Sequence, residues 1–199
     1  NASAATTSAT IAATGANEIT FAAADLATLT TVTVSGAGSV DLSGAGLSAV
    51  TTLTAGDGGV KANVTTSTAT GVTATTGAGD DTLTLVGAAI KAVSAGAGKD
   101  SVTAATSAIA ATATVDMGAG DDTLTLGAAP AAGATLTGGD GTDTIVLAKA
   151  DYATVAAYSD ANLAKITGFE VLSISDALGA SDSIDVSKIA GITSFKAAA

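Results

Sequence analysis

Glycine recurs along this chain on a ruler of about 20 residues, and that period limits the possible folds more than any other feature. Four loops set it: GAGDDTLTL at 77–85, GAGKDSVTA at 96–104, GAGDDTLTL at 118–126 and GGDGTDTIVL at 138–147. Aligned on Gly77, Gly96, Gly118 and Gly139, they are 19, 22 and 21 residues apart. Extended backwards, the ruler meets Gly56, Gly36 and Gly15 at intervals of 21, 20 and 21. After the loops come short runs of alternating β-branched and apolar residues, as at Thr82–Leu85, Thr123–Leu126 and Thr144–Leu147, which is a strand signal. A second short segment follows in the same registers, at Val72–Thr75, Ile90–Val93 and Thr112–Val115. Loop, strand, turn and strand in about 20 residues make one rung of a parallel solenoid, which buries its apolar face only against the next rung.

The expected fold is therefore all-β: a right-handed parallel β-roll or β-helix over residues 1–148. About seven rungs at ~4.8 Å each would give a rod of roughly 34 Å. Composition agrees with a thin interior, since 124 of the 199 residues are Ala, Thr, Gly or Ser and only 3% are aromatic. Residues 149–166 (KADYATVAAYSDANLAKI) lack glycine and read as a short helical insertion, in which Tyr152 and Tyr158 are packing residues. Strands follow at 167–175 and within 181–195, so residues 149–199 are expected to hold capping or next-module strands. Starting at Asn1 without a basic leader, the chain reads as a piece of a longer polypeptide.

Several chemistries are excluded. The chain has no His and no Cys, and all seven basic residues are lysine. Ser-His-Asp and Cys-His nucleophiles, the usual zinc sites, haem and iron–sulfur ligation all drop out, as does bidentate gripping of phosphate by arginine. A formal charge of −11 disfavours nucleic acid and anionic membranes as partners. Mean hydropathy is +0.52, yet no apolar run approaches the ~18 residues of a spanning helix, so membrane insertion is not expected. Paired acids occur at Asp80-Asp81 and Asp121-Asp122, but on narrow turns rather than across a cleft, so no enzymatic role is expected.

The loops carry a different chemistry. Gly-x-Gly turns permit positive φ and aim backbone carbonyls at one point. Two residues after the second glycine stands a carboxylate in every copy: Asp81, Asp100, Asp122 and Asp143. Stacked ~4.8 Å apart with no His or Arg beside them, these charges repel. A hard divalent cation with about six to eight oxygen ligands answers both the repulsion and the carbonyl geometry, and calcium suits it better than the smaller, water-retaining magnesium. Asp41 and Asp57, outside this pattern, read as turn aspartates, and Glu170 as a surface or interface residue.

These loops resemble the RTX nonapeptide G-G-x-G-x-D-x-U-x, whose family binds calcium between the turns of a parallel β-roll. Gly138 through Ile145 match it in full, while Thr76, Ala95 and Met117 replace the first glycine in the other copies. The resemblance implies side-chain ligation by Asp81, Asp100, Asp122 and Asp143. It implies carbonyl ligation around Gly77 and Gly79, Gly96 and Gly98, Gly118 and Gly120, and Gly139 and Gly141, with Asp80, Asp121 and Asp140 as secondary candidates. The match covers 76–147, and with four loops and three gaps about three ions in one column are expected. The Gly15, Gly36 and Gly56 registers carry Ile19, Val40 and Val60 at the aspartate position, so calcium is not expected there.

Sparse RTX loops in an Ala/Thr/Gly/Ser background also resemble Gram-negative surface-layer proteins. That resemblance implies type I secretion, an extracellular place on the bacterial surface and self-association with neighbouring copies or modules. It further implies anchoring to surface glycan or lipopolysaccharide through parts of the parent outside this chain. The alternatives are a spacer module of an RTX adhesin, a β-helix carbohydrate-active enzyme, or an ice-binding solenoid displaying its threonines, whose outward placement reads as irregular.

Overall fold

The computed structural model describes residues 6–15, 19–21, 26–65, 71–87, 89–105 and 109–198. Residues 16–18 of the Gly15 register lie outside the described residues. The odd-numbered strands form one sheet: β1 (Ser8–Ala12), β3 (Thr31–Ser35), β5 (Thr52–Thr54), β7 (Val72–Thr75), β9 (Ile90–Ser94), β11 (Ile109–Ala119), β13 (Thr135–Asp140) and β15 (Ile166–Thr167). The second sheet holds β2 (Ile19–Thr20), β4 (Val40–Leu47), β6 (Val60–Val64), β8 (Thr82–Leu85), β10 (Ser101–Ala104), β12 (Thr123–Leu126), β14 (Thr144–Leu147), β16 (Val171–Ala177) and β17 (Ser194–Ala198). Every pairing among the described residues is parallel, and each strand pairs with the one two places along, except that β17 pairs with β16, the strand just before it. This is the parallel β-solenoid that the glycine ruler predicts.

Among the described residues the solenoid has eight strands in one sheet and nine in the other, so it is longer than the seven glycine registers. The sheets run on past residue 148, because β15 pairs with β13 and β16 with β14. Between β14 and β15 the chain forms α1 (Lys149–Ala156) and α2 (Asp160–Leu163), where the tyrosine segment predicts helix. Tyr152 and Val155 of α1 are buried, one turn apart on the same face. The Tyr152 hydroxyl donates to the carbonyl of Asp185 at 2.7 Å, and that of Tyr158 to the carbonyl of Pro130. Both tyrosines therefore pin the insertion to neighbouring loops.

Period-2 alternation sends one column of side chains inward at each register. Leu83, Val102, Leu124, Ile145 and Leu172 stack in adjacent turns of the second sheet, each at most 1% exposed. The column ends at Phe195, which pairs with Leu172 on the edge strand and is 39% exposed.

The outward positions are more regular than the sequence suggests. On the first sheet Thr31, Thr52 and Thr73 are consecutive partners, and the column continues through Ala92 to Thr114 and Thr135. A second column runs Thr10, Thr33, Thr54, Thr75, Ser94, Asp116, Thr137 and Thr167. Loops of unequal length hide this alignment in the linear chain; hydrogen-bonded pairing restores it.

Candidate metal centre

Strand pairing fixes one column at the corner that leads into the second sheet. Lys61 pairs with Thr82, Ser101 with Thr82 and Thr123, and Thr144 with Thr123 and Val171. The residue before each therefore stacks as Val60, Asp81, Asp100, Asp122, Asp143 and Glu170. The four aspartates are 0–1% exposed. Isolated buried carboxylates are costly, so their partners decide what the column can do.

One oxygen of each is satisfied in the same way. The backbone N–H of Val60 donates to Oδ1 of Asp81 at 2.6 Å, and that of Asp81 to Oδ1 of Asp100 at 2.8 Å. Asp100 donates to Asp122 at 2.7 Å, and Asp122 to Asp143 at 2.9 Å. Each carboxylate thus reaches back to the preceding turn and ties two rungs together. The other oxygen, Oδ2 of Asp81, Asp100, Asp122 and Asp143, is buried with no hydrogen-bond partner. One orphaned acceptor thus recurs in register in four successive turns.

Electrostatics follow from that enclosure. Burial pushes the Asp100 carboxyl up to about 7; the Asp81 amide opposes this, and the charges of Asp81, Asp122 and Asp80 add to it. Asp143 is pushed up to about 6 by burial, with Asp122, Glu170 and Asp121 contributing repulsion against the Asp122 amide. Asp81 and Asp122 are raised as well, again mainly by burial; one backbone hydrogen bond opposes this in each, and the neighbouring Thr76 hydroxyl also opposes it at Asp81. The ionised column lacks countercharge, the condition that a bound cation removes.

Glycine is required here by backbone proximity. At Gly120, with φ of 141°, an added Cβ would lie 1.7 Å from the carbonyl oxygen of Gly98. Gly96, Gly98, Gly118, Gly139 and Gly141 also have positive φ, as the Gly-x-Gly pattern predicts, whereas Gly77 and Gly79 do not. The first position of the nonapeptide has a local explanation. A Cβ on Gly138 would meet the Gly168 carbonyl oxygen at 1.8 Å. Thr76, Ala95 and Met117 instead have buried room for a side chain, and the Thr76 hydroxyl donates to the Ala95 carbonyl at 2.5 Å.

The secondary candidates behave differently. Asp80 and Asp121 are exposed and face the following turn, accepting from the amides of Lys99 at 2.7 Å and Thr142 at 2.9 Å. Asp140 is exposed, and its carbonyl accepts from Gly120 at 2.7 Å. The carbonyls of Gly77 and Gly96 each accept one amide, from Ala97 and Ala119, both at 2.8 Å, which leaves each a second lone pair. Among the described residues no group of three or more acidic side chains gathers as a compact cluster. The carboxylates are dealt one per turn, so backbone carbonyls and water would supply most of a calcium shell.

Glu170 is the member that sequence reasoning misses. Its Oε2 accepts the Asp143 amide at 2.9 Å, the same bond one turn further on. The helical insertion stretches the spacing from Asp143 to 27 residues, which breaks the ruler, and Gly168 at the corner is the one surviving signal. Elsewhere, a cavity of about 440 Å³ between α1 and residues 182–188 is lined by Lys149, Tyr152, Asp182, Ile184 and Lys188. Lys149 and Asp182 already pair there at 2.9 Å, and the column's carboxylates do not line it.

Compared with known proteins, the chain matches no family model, no curated protein and no solved structure. The reading of the site therefore rests on its own chemistry. Buried carboxylate oxygens without donors, close-packed glycine backbone and the absence of nitrogen or sulfur ligands fit a hard, oxygen-seeking cation.

Proposed function

We propose that this chain is a calcium-dependent structural module of a secreted, self-assembling bacterial surface layer. The observation that carries the calcium reading is the set of four buried Oδ2 atoms without partners, one per turn. Asp81, Asp100, Asp122 and Asp143 would hold the ions from the side-chain side, and carbonyls of the flanking glycine loops from the other. Calcium supplies countercharge and a rigid link between rungs. Because the ligands converge only when the rungs stack, binding energy becomes folding energy. Assembly at the cell surface is the use to which the loop resemblance points, since sites of ~10⁻⁴ to 10⁻³ M affinity fill outside cells.

The test is a calcium titration of the metal-free chain followed by circular dichroism and calorimetry, with the full parent protein imaged in parallel. Strand signal and melting temperature should rise together with midpoints near ~10⁻⁴ to 10⁻³ M, and the parent should form a two-dimensional lattice that a chelator dissolves. Loops that stay metal-free in millimolar calcium would end the calcium reading. A parent that binds calcium without ordering into a lattice would favour an adhesin spacer.

A second reading has one observation in its favour. The two threonine columns of the first sheet repeat at ~4.8 Å between strands and ~6.6 Å along them, within an ångström of oxygen repeats in hexagonal ice. On this reading the face orders water, with Ala92, Ser94 and Asp116 as its departures from threonine. Measurable thermal hysteresis, abolished by Thr54→Lys and left intact by Thr125→Lys on the opposite sheet, would support it. No hysteresis at millimolar protein would dismiss it.

A further inference from the structure

The direction of the ladder changes where the cation positions lie. A count from motif loops places ions in the three gaps between four aspartate-bearing loops. In the structure, however, each carboxylate sits in the gap with the turn before it. The first aspartate, Asp81, accordingly reaches into a gap whose upper wall is Gly56–Val60, a loop with no acid at the column position.

That gap shares the column's hydrogen bond, burial and orphaned oxygen with the others. Val60 contributes only its backbone N–H, which donates to Asp81 Oδ1 at 2.6 Å. This is all that Asp81, Asp100 and Asp122 contribute from the upper wall in the ladder below. Asp81 is 1% exposed, and its Oδ2 has no partner. The two loops approach within the range of the matched ones, whose corresponding distances run from 1.7 to 2.7 Å. A Cβ on Gly77 would lie 2.3 Å from the Gly56 carbonyl oxygen, and one on Gly79 would lie 2.3 Å from the Gly59 nitrogen. One turn further up, Val40 and Val60 face each other without a carboxylate, so the series ends there.

We infer that Asp81 and the Gly56–Gly59 backbone form a cation position outside the matched segment, so that the buried aspartates define four inter-turn positions and not three. The inference rests on the calcium reading above and extends it to a loop that lacks the motif. Within the column the acid comes from below and the upper wall offers backbone; the exposed Asp80 and Asp121, which reach down from the upper wall in two of the lower positions, have Gly59 as their counterpart in this one.

Asp81→Asn tests this, because asparagine keeps an acceptor for Val60 and nearly the same shape while removing the charge. Bound calcium per chain, measured by equilibrium dialysis at saturating calcium, should fall by one ion relative to the unsubstituted protein. Equal, non-zero stoichiometry in the two proteins would overturn the inference and leave the calcium reading standing. No bound calcium in the unsubstituted chain would remove both. Should the variant fail to fold, crystals of the unsubstituted chain grown in calcium decide the matter by anomalous scattering. A peak between loops 56–59 and 77–81 supports the position; peaks in the three lower gaps alone overturn it.

Discussion

Asp122→Asn is expected to raise the melting temperature of the metal-free chain and to remove one site's share of the rise that calcium produces. The two effects have opposite signs because the carboxylate has two roles. Without metal, Asp122 is a buried charge between Asp100 and Asp143, with one oxygen bonded to the Asp100 amide and the other bonded to nothing. Asparagine retains an acceptor for that amide and removes the charge, a gain of about 1–2 kcal/mol on the scale of buried polar groups. For a chain of this length that is roughly 2–8 °C. With metal present, a site filled at 100 times its dissociation constant stabilises by about 2.7 kcal/mol, and the variant forfeits that amount. Asp160→Asn is the control, since Asp160 is exposed on α2 and stands outside the column and its loops. Asp122→Ala would mislead, as it also strands the Asp100 amide at a further cost of about 1–3 kcal/mol. If Asp122→Asn and Asp160→Asn melt alike with and without calcium, the column is a set of ordinary turn aspartates.

The parts of this molecule that were legible in its sequence are those set by strict periodicity. Glycine spacing predicts the rungs, and Thr-Leu-Thr-Leu predicts β8 and β12 at their observed bounds. One-residue alternation requires Leu83 and Leu124 to face inward together. The alignment of Asp81, Asp100, Asp122 and Asp143 follows from the same ruler, because parallel pairing without bulges preserves offsets from each loop. What escaped reading depends on contacts across rungs. Glu170 is displaced by an insertion that adds residues without adding a strand to either sheet. The reach of each carboxylate to the preceding turn is a rotamer and backbone choice that spacing cannot encode, and it moves the first position to a loop ending in Val60. The threonine columns were hidden because the connections between rungs vary, while hydrogen bonding resets the register at every strand.

Acid should stabilise the metal-free chain, the reverse of the usual behaviour of a protein rich in carboxylates. An Asp in an unfolded chain titrates near 3.9, whereas in the folded column Asp100 is held at about 7 and Asp143 at about 6, with Asp81 and Asp122 raised too. Between about pH 4 and pH 7 the folded state therefore binds more protons than the unfolded state, and stability falls as pH rises through that window. The contribution is complete near pH 4 and gone above pH 7. Calcium inverts the slope. A bound ion holds the same carboxylates ionised, so protons compete with it, and the calcium-loaded chain should lose stability on acidification. Calorimetric melting of the metal-free and calcium-saturated protein at pH 5 and pH 7.5 makes the comparison. The expected result is a higher melting temperature at pH 5 without metal and at pH 7.5 with it. Asp100→Asn, which removes the most strongly shifted group for which burial and both column neighbours act together, should flatten both slopes. Parallel slopes of the same sign in the two conditions would mean that these buried oxygens are not where calcium and protons meet.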